Sequence, residues 1–167
     1  MPSMKAIVLF SMLTTCLASS CKKETVEPDK TQMLVAHGWR TTAHTNTVTQ
    51  DDVPLVKNSY AQYDACYRDN TMTFQNDNQA MCNTGSLHCI PGEPATFSGH
   101  WYLTKDESKL ISDNLFPMMG LGFLSTGLEE FELVELSKTA LKLKTSRFYY
   151  QGNVKVTITD EYTLSAL

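Results

Sequence analysis

Residues 129–136 (EEFELVEL), 139–145 (TALKLKT) and 153–164 (NVKVTITDEYTL) alternate between apolar and polar side chains. Successive side chains of a β-strand point to opposite faces, so such a stretch lays its apolar members on one side and leaves the other to water. In the first stretch Phe131, Leu133 and Glu135 share a side, opposite Glu130, Glu132 and Val134. In the second, Leu141 and Leu143 stand opposite Lys142 and Lys144. In the third, Val154, Val156 and Ile158 stand opposite Lys155, Thr157 and Thr159. Three such strands in succession predict an antiparallel sheet with one buried face.

The same pattern extends upstream. Residues 71–75 and 79–84 flank Asn76-Asp77-Asn78, a hairpin signal because Asn and Asp tolerate the positive φ of tight turns. Residues 97–104 (FSGHWYLT) and 109–112 (KLIS) bracket the turn Lys105-Asp106-Glu107-Ser108, and the Thr-rich 39–48 (WRTTAHTNTV) reads as the first strand. Ahead of it, 31–36 (TQMLVA) is long enough for a turn or two of helix before Gly38, with Asp29 as N-cap. Residues 51–64, interrupted by Pro54 and largely polar, read as a long connection. Eight strands joined mainly by short turns make an all-β antiparallel meander. Its natural closure is an eight-stranded up-and-down barrel with a short N-terminal helix, since closure removes both edge strands. A sandwich of the same strands is the alternative that periodicity does not separate.

The chain has 167 residues, of which 42% are hydrophobic, and 14 Lys and Arg against 18 Asp and Glu give a net charge of -4. That is one ordinary domain with material for a core. No basic block offers a surface for phosphates, which excludes a nucleic-acid partner.

Residues 1–20 (MPSMKAIVLFSMLTTCLASS) place Lys5, an apolar run from Ala6 to Leu13 and then small residues in the order of a secretory signal peptide. The run falls short of the roughly 20 apolar residues that span a bilayer. Leu17-Ala18-Ser19-Ser20 before Cys21, with Lys22-Lys23-Glu24 after it, resembles the lipobox of bacterial lipoproteins. The resemblance implies a diacylglycerol thioether on Cys21, cleavage before it, and acylation of the new amino group, for instance with palmitate. Several acyl chains, at about 0.8 kcal/mol per buried CH₂, hold a protein to a membrane where one chain does not. Ala18 is a weaker lipobox residue than Leu, Cys16 is a rival acceptor, and a secreted protein cut after Ala18-Ser19-Ser20 is the alternative. Residues 21–30 then form a lipidated tether, of which 22–30 (KKETVEPDK) spans about 30 Å when extended. Cleavage removes Lys5 and no acid, moving the net charge from -4 to -5. Lys22 in place of Asp favours the outer membrane of the cell envelope, facing either the periplasm or the outside.

Residues 31–167 resemble the lipocalin-like domain of small bacterial lipoproteins. The resemblance rests on Gly38-Trp39, Asp64-Ala65-Cys66, Asp69-Asn70, Thr73-Phe74 before a tight hairpin, Cys89, Gly99-His100-Trp101 and the charged turn leading to Leu110. It implies an eight-stranded lipocalin-like barrel with Gly38-Trp39 near its closed end, and a function in non-covalent binding instead of catalysis. Three features depart from the family pattern: Asp77-Asn78 where Asp-Gly is usual, an extra cysteine at Cys82, and an unusually apolar connection over 115–127.

With Cys16 in the leader and Cys21 lipidated, Cys66, Cys82 and Cys89 remain in an oxidising compartment, enough for one disulfide and one free thiol. Cys66 with Cys89 fits both the family pattern and two loops flanking a hairpin, and such a bridge stabilises by about 3 kcal/mol on the chain-entropy model. Cys82 then packs as a small buried residue, its alternatives being a bridge to Cys89 or to another molecule. His37, His44, His88, His100, Cys82 and Cys89 are conceivable zinc ligands, but no C-x-x-C or H-E-x-x-H spacing supports a metal, and no cofactor is expected. Glu129, Glu130, Glu132 and Glu135 read as a solvated strand face. Ser98 and His100 share a strand face with no evident orienting acid, so no catalytic residues and no enzyme are expected.

The segment 115–127 (LFPMMGLGFLSTG) is an adaptable apolar surface. It serves either as core over one barrel end or as a lip or docking surface lined by Phe116, Met118, Met119, Phe123 and Leu124. The expected protein is a membrane-anchored lipoprotein binding a small apolar or amphipathic ligand; the alternative is an envelope protein-protein interaction module with a filled barrel. Changing Met118, Met119 and Phe123 together to Ser should leave folding intact, by circular dichroism, and abolish binding. Unfolding of this variant would instead assign the segment to the core.

Overall fold

The computed structural model describes residues 29–113 and 127–167. A short helix α1 (Lys30–Val35) is followed by β1 (Gly38–Gln50), β2 (Val53–Asn58), a 3₁₀ turn at Tyr60–Gln62 and one helical turn α2 (Ala65–Arg68). Then come β3 (Thr71–Phe74), β4 (Gln79–Asn83), β5 (Thr96–Leu103), β6 (Lys109–Ser112), β7 (Glu129–Leu136), β8 (Ala140–Gln151) and β9 (Val154–Ala166). The sheet runs β2-β1-β3-β4-β5-β6-β7-β8-β9, every pairing antiparallel, and β1 also pairs with β9. That last pairing closes β1 and β3 to β9 into a ring of eight strands. The expected eight-stranded up-and-down barrel, with its N-terminal helix, is the observed fold.

Its two halves differ. In the lower half, where α1 and the β3–β4, β5–β6 and β7–β8 turns gather, β1 meets β3 through Gly38 opposite Thr73 and Trp39 opposite Met72. After an irregularity between Thr41 and Ala43, β1 leaves β3 and continues between β9 and β2, with Thr45 to Gln50 facing Asn58 to Val53. The upper part is therefore an open four-stranded sheet, β2-β1-β9-β8. Residues 51–64 are thus not the unstructured connection their composition predicts. Asp51 and Asp52, at φ 50° and 60°, make the two-residue turn of a hairpin. Pro54 is tolerated because β2 is an edge strand. Strand β8 also outruns its predicted end at Thr145, because β9 continues beside it to Gln151 opposite Val154.

The predicted β3–β4 hairpin closes as expected, with Asn78 taking φ 64° where glycine is usual and the Asp77 carboxylate accepting from Gln79 N. Below it the core fills the lower barrel. Trp39, Met72, Phe74, Trp101, Leu110, Phe131, Leu141, Leu143 and Leu164 are all buried, and the Phe74 and Trp101 rings meet edge to face at 5.2 Å. Helix α1 plugs this end. Asp29 caps its first turn by accepting from Thr31 N, Leu34 is fully buried, and the Trp39 indole donates to the Leu34 carbonyl at 2.9 Å. Gly38-Trp39 thus lies at the closed end, as the resemblance implies. Truncating the plug with Leu34→Ala should cost about 2–4 kcal/mol, measured by urea denaturation. A loss below about 1 kcal/mol would show that the helix does not seal the core.

Candidate functional site

The segment between β2 and β3 crosses the upper half and delivers Tyr63 to the interior. It is latched by Ser59 N donating to the His44 carbonyl, by Arg68 Nε and Nη2 donating to the Tyr63 and Ala61 carbonyls, and by the Arg68 guanidinium over the Tyr60 ring. Cys66 in α2 is bridged to Cys89, leaving Cys82 free, as expected. Cys82 is buried among core side chains, and burial first, then the nearby Glu93 charge, pushes its thiol up to about 12. That makes it an inert packing residue.

The family-pattern pair Asp69-Asn70 is structural. The Asp69 carboxylate accepts from the Ser86 and Leu87 amides, and a Cβ at Gly85 (φ 70°) would strike it at 2.3 Å, so glycine is required there. With its amide nitrogen turned inward, buried Asn70 donates to the Thr84 and Cys66 carbonyls. Together they hold the 84–95 loop and the disulfide against α2.

Above the apolar core lies a buried polar network. The chain irregularity after Thr41 brings His44 into the inward phase of β1, opposite Tyr162 of β9, and their rings stack at 4.3 Å. Asp160, only 1% exposed, accepts from His44 Nε2 at 2.9 Å, Asn46 Nδ2 at 2.7 Å and Arg147 Nη1 at 3.0 Å. The carboxylate can only accept, so Nε2 carries the proton, and in the neutral ring Nδ1 accepts from the Tyr63 hydroxyl at 2.8 Å. Burial acts to raise the Asp160 pKa. The hydrogen bonds from His44 and Asn46 and the charge of Arg147 outweigh it and hold the carboxyl below its usual range. Burial first, then the Asp160 charge, drives the Tyr63 and Tyr162 hydroxyls far above their ordinary range, so both stay protonated.

Beside this network the wall opens. Strands β7 and β8 pair from Leu136–Leu141 up to Glu132–Lys144 and part above it, leaving a cleft of about 550 Å³ bordered by Leu128, Glu129 and Glu130 on one side and Thr145, Ser146 and Arg147 on the other. The acidic residues of β7 do not form one solvated face, as their run predicts. Glu130, Glu132 and Glu135 do face outward, paired with Lys109, Lys144 and Lys142, whereas Glu129 stands in the inward phase of Phe131.

The candidate residues of the 115–127 segment, Phe116, Met118, Met119, Phe123 and Leu124, and the lipidation candidate Cys21 lie outside the described residues. The histidines are scattered: His37 lies edge-on to Trp39, His44 is in the network, and His100 pairs with Asp113 on the exposed outer face of β5. Asp113 is the orienting acid the sequence did not reveal, but the His100 side chain is 72% exposed. The network of His44, Asn46, Tyr63, Arg147, Asp160 and Tyr162 was missed. One signal for it exists: in NVKVTITDEYTL, Asp160 occupies the phase of Val154, Val156, Ile158 and Leu164, where an acid must be partnered.

Fold and site together define an eight-stranded antiparallel barrel with an apolar lower core and a polar upper interior. No family model and no curated protein matches the chain. Among solved structures, a lipocalin-like protein from Bacteroides uniformis is similar, at 14% identity and a TM-score of 0.44, with 80% of this chain and 98% of that chain covered.

Asp160→Asn leaves one carbonyl oxygen to serve the buried His44 donor, the partly buried Asn46 amide and the largely exposed Arg147 guanidinium, so it should destabilise by about 2 kcal/mol at pH 7 in urea denaturation. Because the folded pKa is depressed, this stabilisation is complete above the unfolded value of 3.8 and fades as pH falls through the lower folded value. The gap between wild type and variant should therefore narrow below pH 3.8. A gap unchanged down to pH 2 would contradict the assignment, since a carboxylate whose ionised form the fold stabilises loses that advantage as it takes up a proton.

Proposed function

We propose that this chain is a non-catalytic, membrane-anchored binding protein of the cell envelope that holds a small amphipathic molecule at the upper end of its barrel. The observation that carries the reading is the division of the interior. Large side chains fill the lower half, whereas the upper half keeps a polar network beside a cleft between β7 and β8. A purely apolar ligand deep in the barrel would compete with the packed core; an amphipathic one has a polar interior for its head and the inner face of the β1–β9 sheet, with the half-buried Val48 and Ile158, for its chain. Anchoring through Cys21 fits this arrangement, because Asp29 and α1, which follow the tether in the chain, lie at the closed end of the barrel.

The interaction-module reading draws on a different surface. Val53, Leu55, Val56, Phe148 and Tyr150 are exposed on the upper sheet, and Lys155 stacks on Phe148 at 4.7 Å. Native mass spectrometry of the full chain extracted from host envelopes decides between them. A retained small molecule supports binding, a stoichiometric second protein supports the module, and the bare acylated chain alone argues against both. Cys21→Ser should move the chain from the membrane to the soluble fraction; retention on the membrane would refute the anchor.

A further inference from the structure

The upper sheet β2-β1-β9-β8 ends in two edges that no strand covers among the described residues. Their backbones are not alike. In an antiparallel pair, successive residues turn their N–H and C=O groups alternately toward the partner strand and away from it. Ser59 N donates to the His44 carbonyl and the β1–β2 register carries no shift, so Val53, Leu55 and Lys57 face β1 and the outer edge of β2 belongs to Pro54, Val56 and Asn58. Pro54 has no N–H, and the Asn58 side chain turns back to accept from Ala61 N. That edge is a poor template for another strand.

The edge of β8 carries no such block. Ala166 N donates to the Thr139 carbonyl, and β8 keeps one register with β9 from Ala140 to Gln151, so its odd-numbered residues face β9. Above Lys144, the uppermost residue paired with β7, Ser146, Phe148 and Tyr150 turn complete N–H and C=O groups outward. The side chains mark the same edge. Every residue from Ser146 to Gln151 is exposed, Phe148 by 61%, Tyr149 by 49% and Tyr150 by 65%. The Phe148 and Tyr150 rings meet edge to face at 6.0 Å on the outward phase. At roughly 200 Å² per aromatic side chain, these three expose about 350 Å², nearly half of what each partner contributes to a standard interface.

We propose that this edge pairs with the same edge of a second copy of the chain across a two-fold axis at Phe148, joining the two upper sheets into one. The strand is its own complement. Only even-numbered residues turn their groups outward, so an axis at Phe148 sets Ser146 opposite Tyr150 of the second copy and Phe148 opposite its own counterpart, which uses every open group of the edge. An axis at Arg147 would oppose two like charges, and one nearer the hairpin tip would leave Ser146 unpaired. With the axis at Phe148, Arg147 faces Tyr149 of the second copy, and the Phe148 and Tyr150 rings of both copies gather on the outward face. The same register carries the hairpin tip, Gln151 and Gly152, to Thr145 of the other copy. Thr145 borders the β7–β8 cleft of about 550 Å³, so the parting of those strands leaves room for the tip. This pairing goes beyond the binding function proposed above and stands whether or not a ligand occupies the upper interior.

The test uses the full chain in envelopes of its host. In Phe148→Cys the two thiols face each other across a hydrogen-bonded pair, with Cα atoms about 5.5 Å apart and within reach of a disulfide. A non-reducing gel should therefore show a covalent homodimer as the main species, while Tyr102→Cys, exposed on the outer face of β5, stays monomeric. Sedimentation of the detergent-solubilised full chain should give a dimer. Phe148→Pro, which removes an outward N–H and no bond to β9, should convert it to a monomer with unchanged circular dichroism, whereas Val56→Pro, the same change on the β2 edge, should leave it dimeric. A monomer in either measurement overturns the proposal. Equal cross-linking of Phe148→Cys and Tyr102→Cys, or a dimer that survives Phe148→Pro, also overturns it, since random encounter or another surface then suffices. A Phe148→Cys adduct with a different protein overturns pairing with a second copy and assigns the edge to that partner.

Discussion

Strand β1 is held along its length by β9 on one edge, while its other edge changes partner, from β3 at Gly38 and Trp39 to β2 beyond Thr45. Everything else in the barrel answers to that change. Below it the ring closes, all inward side chains converge, and water is excluded. Above it the sheet does not close among the described residues, where β2 pairs with β1 alone and the far edge of β8 runs on without β7. The irregularity between Thr41 and Ala43 marks the boundary, and it sets the phase in which His44 points inward.

The two halves then take opposite solutions to burial. A closed ring capped by a helix can be filled with Trp39, Trp101, Phe74 and Leu141, and the two indole nitrogens that must be satisfied there find the Leu34 and Gln75 carbonyls. Among the described residues the unclosed upper end is not filled by apolar packing in the same way. It is bridged instead by polar groups that span strands: Asp160 joins β9 to β1 through His44 and Asn46 and to β8 through Arg147, and Tyr63 ties the β2–β3 segment to His44. Such a network holds strands at fixed spacing only while every donor has an acceptor.

Much of this was legible beforehand because strand alternation is local. All eight ring strands, the Asn76–Asn78 turn and the Asp29 cap follow from patterns a few residues long, and each is found. The Cys66–Cys89 bridge was expected from the family pattern together with the hairpin the two cysteines flank, and it is found. What was not legible has a common cause in contacts distant along the chain. Strand β2 looks like a polar connection because Pro54 and its exposed flanks score poorly alone, yet it needs only the free edge of β1. His44 and Asp160 are 116 residues apart, and nothing in either neighbourhood names the other. Glu129 looks like one member of an acidic run until the strand phase separates it from Glu130 and Glu132.

By itself, then, the sequence determined the strand set, the apolar side of most strands and the turn residues, because each depends on neighbours within a few positions. Only the tertiary structure decided where the ring closes, which polar side chains share the upper interior and where the wall opens. Those depend on strand register, and register is settled by the simultaneous packing of all eight strands, which no local stretch contains.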